Sequence, residues 1–250
     1  EESSVWTLWS VRCSFFTPGD GMERTTKQKY LSAAGLLLVA TAAVKVIGAV
    51  YKIPLTGLIG GTGRGYFSTA YTLFMPVHAI TLGAFPVALS GLVSKYRATG
   101  DSARVAALQR SACGLFFWVG LAGTALMVLL AGPYTRLVAG APNAVYTVLI
   151  LAPTALFSAM AAAHRAFAEG HLNMVPTSVC QVLEALFKMV FGLLFAKLSM
   201  GRLYQIYLDT GMVLGNRAES ETAALSMMYP ITAACAMLGV TLGALAAWVY

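Results

Sequence analysis

The chain has 250 residues, of which 58% are hydrophobic and only 11% charged. Soluble domains run nearer 45–50% apolar and about 25% charged. The composition therefore excludes an ordinary soluble enzyme or a disordered chain. The net charge of +7 is read as basic loops orienting a membrane protein, not as a nucleic-acid footprint.

Residues 1–21 carry Trp6, Trp9, Phe15 and Phe16 and then Pro18-Gly19-Asp20-Gly21. They lack the apolar core and small-residue cleavage site of a signal peptide. Met22 then opens a short basic stretch with Arg24, Lys27 and Lys29. Residues 1–21 are accordingly expected to be a non-family extension, disordered or artefactual, with Met22 the natural start.

Six apolar segments are long enough to span a bilayer, which takes about 20 residues each. They are expected at about 30–53, 66–93, 112–131, 144–163, 175–198 and 222–250. The reading is an all-α polytopic membrane bundle. The connection 199–221 is the longest and reads as lying partly along the surface. The sixth segment runs to Tyr250 with no polar tail, as though the chain were cut there. Lys/Arg placement favours a cytoplasmic N-terminus. The bias comes mainly from the first tail and from Lys95, Arg97, Arg104 and Arg110.

Pro76 and Pro86 fall in the second segment, where a missing N–H donor is expected to kink the helix. Gly239 and Gly243 form a GxxxG pair that suits close helix packing. The glycine-rich stretch Gly57–Gly65 reads as a flexible turn, because it lacks the Lys-Ser/Thr ending of a phosphate loop.

Three charges lie deep in apolar segments: Lys45, Glu184 and Lys188. Each costs several kcal/mol in a bilayer unless it faces an interior or a wet cavity (about 2.5–3.5 on insertion scales). Thr41, Lys45, Gly48 and Lys52 fall at i, i+4, i+7 and i+11 and share one helix face. Two ammonium groups, a hydroxyl and a gap suit an anionic, phosphate-bearing substrate. Gln181, Glu184 and Lys188 share a second face. There Glu184 and Lys188 are read as a cavity ion pair or a coupling site. Cys13, Cys113, Cys180 and Cys235 have no metal or disulfide spacing. No catalytic motif stands out, so no enzyme, cofactor, metal or nucleic-acid partner is expected.

Several of these residues carry a family resemblance. Lys45-Val46-Ile47-Gly48-Ala49-Val50-Tyr51-Lys52-Ile53-Pro54 resembles the end of the first helix in stage V sporulation protein B-like polysaccharide exporters. Gly83-Ala84-Phe85-Pro86-Val87-Ala88-Leu89-Ser90 resembles their second-helix motif. Arg165–Gly170, Asn173–Thr177 and Gln181-Val182-Leu183-Glu184 resemble the stretch around the start of their fifth helix. The resemblance covers about Lys29 to Tyr250. It implies membership of the multidrug/oligosaccharidyl-lipid/polysaccharide exporter superfamily, which includes lipid II flippases. Such proteins have twelve to fourteen helices in two lobes and work by alternating access. Residues 22–250 would then be the N-terminal six-helix lobe, in the plasma membrane. The resemblance implies transport of a lipid-linked oligosaccharide or peptidoglycan precursor, with an undecaprenyl-pyrophosphate-linked sugar on Lys45 and Lys52. The alternatives are a cation-coupled multidrug exporter of the same superfamily and a non-transporting membrane protein in envelope or spore assembly.

Overall fold

Gly60 turns the first long helical stretch back on itself, and this turn sets the architecture. A computed structural model describes residues 26–213, 216–217 and 220–250. The expected extension 1–21 lies outside them, as does Glu219. Helix α1 runs Thr26–Leu82, but Gly60 inside it has φ 64° and ψ −175°. The ring centroids of Tyr51 and Phe67 are 6.5 Å apart. In a straight helix these residues, sixteen apart, would be separated by about 24 Å at 1.5 Å per residue. The stretch is therefore two helices, α1a (26–59) and α1b (61–82), packed near each other. Only glycine adopts this backbone region readily, and a Cβ here would sit 2.8 Å from Cζ of Tyr229. Gly60→Ala is expected to cost about 1–3 kcal/mol from backbone strain alone, read as a lower thermal unfolding midpoint in detergent. An unchanged midpoint would show that the turn tolerates a side chain.

The remaining elements follow in order. Helix α2 is Phe85–Ala98, α3 Ser102–Pro133, α4 Val145–Leu151, α5 Thr154–Gly170, α6 Val175–Thr210 and α7 Glu221–Val249. Asp101 starts α3 by accepting the Arg104 N–H at 3.0 Å, and Ser220 starts α7 by accepting the Ala223 N–H at 3.2 Å. Such caps satisfy N–H groups that the first turn leaves unpaired. A two-residue hairpin, Met212–Val213 with Asn216–Arg217, joins α6 to α7.

Five continuous stretches are long and apolar enough to cross a membrane: Gly35–Ala98, Ser102–Val138, Pro142–Gly170, Val175–Thr210 and Glu221–Val249. This differs from the six separate segments expected. The first two run together because no polar loop parts them and the reversal is made by Gly60 within the helical run. The Gly57–Gly65 stretch is helical on both sides of that residue, so it is a sharp bend more than a flexible loop. Pro76 sits inside α1b. Pro86 does not kink a continuous helix; it occupies the first turn of α2, after a break at Gly83-Ala84. Proline is well tolerated at such a position because its missing donor is not needed. Pro153 marks a similar break between α4 and α5. Within 199–221, the stretch expected to lie partly along the surface, α6 continues to Thr210.

All of this packing lies within Ala33–Tyr250. One core joins α1b, α3, α4 and α7 through Phe74, Val77, Met127, Val148, Leu151 and Met237. A second joins α2, α3 and α5 through Leu89, Val93, Phe116, Ala159, Ala163 and Ala166. A third joins α1a to α6 and α7 through Tyr51, Leu55, Ile59, Ala196 and Ala236. Alanines enter all three seams and let backbones approach there. Arg97 fastens the end of α2 to the end of α5 by donating from Nη1 to the His171 carbonyl at 2.6 Å.

Candidate functional site

Helices α1a, α1b and α6 meet around Lys188. Its Nζ donates a hydrogen bond to the Tyr71 hydroxyl at 2.7 Å. The same ammonium lies 4.8 Å from the Tyr71 ring centroid and 5.8 Å from that of Tyr51. Both distances fall within cation–π range. Lys188 is thus held by one tyrosine from each side of the Gly60 turn. The ion pair expected between Glu184 and Lys188 is not formed. A hydroxyl and two aromatic faces meet the ammonium directly. Among the described residues, Glu184 has no ion pair and its side chain makes no hydrogen bond.

Beside this cluster lies a cavity of about 210 Å³, lined by Val44, Ile47, Gly48, Tyr51, Gln181, Glu184, Ala185 and Lys188. All the candidates on the second face, Gln181, Glu184 and Lys188, therefore line one space. Of the first face, only Gly48 does. Thr41, Lys45 and Lys52 are exposed and stand off the cavity. The helical geometry explains this. Each residue turns a helix by roughly 100°, so Val44, Gly48 and Tyr51 point to the cavity while Lys45 and Lys52 point roughly 80–100° to one side. Gly48 lies on the boundary between the two faces. Thr41 spends its hydroxyl on the Leu37 carbonyl of its own helix, at 2.8 Å.

The other buried polar groups are mostly structural. His78 stacks on Phe74 with centroids 5.0 Å apart, and its Nδ1 is 3.4 Å from Oγ of Ser158. Glu169 accepts from the Thr177 hydroxyl at 2.9 Å, bridging α5 to α6. Cys180 is buried and donates weakly to the Ala247 carbonyl. Among the described residues no group of His, Cys, Asp and Glu could hold a metal ion.

Tyr51 and Tyr71 were missed by the sequence reading, because a tyrosine in an apolar segment reads as packing. One signal was available: Tyr51 follows Val44 and Gly48 at i+7 and i+3, on the face that meets α6. Nothing in the sequence points to Tyr71, since its approach to Lys188 depends on the reversal at Gly60.

A multi-pass bundle of apolar helices with charged and phenolic groups gathered inside its spanning region is an integral membrane protein. The sequence pattern of a polysaccharide biosynthesis protein family matches residues 31–210, and the chain belongs to that family. It is 28% identical over 174 residues to the lipid II flippase MurJ of Bacillus subtilis (strain 168), covering 65% of this chain and 31% of that protein. It is 25% identical over 158 residues to stage V sporulation protein B of the same organism, covering 63% of this chain and 30% of that protein. The match thus spans about a third of the length of these relatives. No solved structure matches. The family expected from the motifs at Lys45–Pro54, Gly83–Ser90 and Arg165–Glu184 is borne out.

Proposed function

We propose that this chain serves in flipping a lipid-linked oligosaccharide or peptidoglycan precursor across the plasma membrane by alternating access, with its N-terminus on the cytoplasmic side. The observation that carries the reading is the family match over 31–210, which contains every charge deep in the spanning region. One of the two relatives, named as a lipid II flippase, suggests the substrate class. Lys45 and Lys52 hold the pyrophosphate of an undecaprenyl-linked sugar. Both are exposed on a helix of which only a small share is buried. Charges placed so in a spanning segment need a wet cavity or a partner surface, and an anionic headgroup entering such a cavity supplies their counter-charge. In this arrangement the cavity beside Lys188 lies next to the transport path.

A second reading, a cation-coupled multidrug exporter, is favoured by the unpaired Glu184. The local balance opposes it, because two ammonium groups, Lys45 and Lys188, stand against one carboxylate. The two readings part in one experiment. Proteoliposomes containing the protein are loaded with a fluorescent lipid II analogue and, separately, with a cationic dye. The flippase reading expects accelerated exposure of the lipid headgroup and no dye efflux. Dye efflux without headgroup exposure would overturn it.

A further inference from the structure

The cavity between α1a and α6 is a poor match to a phosphate. Glu184 contributes a carboxylate with no ion pair and no side-chain hydrogen bond among the described residues, and a like charge repels a phosphate oxygen. Its polar groups suit a neutral ligand rich in hydroxyl and amide groups. A carboxylate accepts hydrogen bonds from hydroxyls, the Gln181 amide both donates and accepts, and Lys188 has two N–H donors left after serving Tyr71. The rest of the wall is apolar: Val44, Ile47, Ala185 and the ring of Tyr51. A sugar ring, with a polar rim and C–H faces, matches that mixture. Tyr51 is only 3% exposed and turns its hydroxyl to the α6–α7 seam, 2.8 Å from where a Cβ on Gly192 would sit, so it offers the cavity its ring alone.

We infer that this cavity is the subsite for the uncharged saccharide of the lipid-linked substrate, with Glu184 and Gln181 reading its hydroxyl and amide groups. The position fits. Gly48 is shared between the cavity and the Lys45/Lys52 face, so a pyrophosphate on the lysines places the first sugar within reach of the cavity. The inference rests on the proposed transport of a lipid-linked glycan and names what selects among such lipids.

The test uses the chain in lipid nanodiscs and two probes, undecaprenyl pyrophosphate and undecaprenyl-pyrophosphoryl-N-acetylglucosamine, with binding read by native mass spectrometry. The wild type is expected to bind the glycosylated lipid about tenfold more tightly, the scale of one hydrogen bond to a charged group. Glu184→Gln and Gln181→Leu are expected to bring the two affinities within about twofold, chiefly by weakening the glycosylated lipid. Retained binding of the bare lipid reports that each variant is folded. Lys45→Ala weakens both lipids alike. Equal binding of both lipids by the wild type overturns the inference while leaving the transport reading in place. So does a Glu184→Gln variant that keeps the tenfold preference, or loses both lipids together. A Glu184 effect that vanishes without sodium assigns the carboxylate to a cation and also overturns it. A wild type that binds neither lipid removes the transport reading and this inference with it.

Discussion

Lys45→Glu is expected to abolish flipping, with complementation of a flippase-depleted strain falling to the empty-vector level. Two unit charges about 4 Å apart interact by about 4 kcal/mol at an effective dielectric near 20. Charge reversal turns attraction for the pyrophosphate into repulsion of similar size, so the loss exceeds about a hundredfold, at 1.4 kcal/mol per tenfold. Lys45→Arg keeps the charge and should retain most of the activity. Lys45 is exposed and holds no core together, so the variant is expected to insert and accumulate normally, as a membrane immunoblot would show. Lys45→Glu with activity within about twofold of wild type would remove this residue from the mechanism.

Gly239→Val is expected to be the most damaging packing change. A Cβ at Gly239 would overlap the backbone N and Cα of Gly192 on α6. Four residues on, a Cβ at Gly243 would lie 2.8 Å from the Glu184 carbonyl oxygen. The GxxxG pair thus lets α7 lie directly against the stretch of α6 that carries Glu184, Lys188 and Gly192. Gly192 in turn leaves room for the Tyr51 hydroxyl, 2.8 Å from where its Cβ would be. Both clashes at Gly239 are with backbone, which cannot rotate away, so the cost exceeds the usual overpacking penalty of about 1–3 kcal/mol. The check is the fraction folded through a denaturant titration in detergent. Gly114, with open space around its Cβ position, is the control. Gly114→Ala is expected to leave stability unchanged or slightly raised, because alanine favours the helix. Equal behaviour of the two variants would show that the α6–α7 contact is looser than it stands here.

Much of this molecule is legible in residue order. Helical content in apolar surroundings follows from long runs with few charges, because a backbone without water must satisfy its hydrogen bonds within the segment. The gathering of Gln181, Glu184 and Lys188 follows from helical spacing alone, and the structure places all three on one cavity. The motifs also carried the family.

Other features depend on distances that residue order does not encode. Glu184 and Lys188 are well spaced to pair, yet Lys188 turns to Tyr71. That partner, 117 positions earlier, arrives only because the chain reverses at Gly60. The reversal itself was hidden because the flanking sequence stays helical, so five continuous stretches replace six. Lys45 and Gly48 share a stripe on paper, but the crossing of α1a over α6 puts a cavity on one side of that stripe and leaves the lysine on the other. The sequence by itself determined a membrane-spanning helical bundle and which charges are out of place in it, because burial cost and helical period are local. The tertiary structure decided which partner each of those charges meets, because that depends on one backbone reversal and on how closely glycine-bearing helices pack.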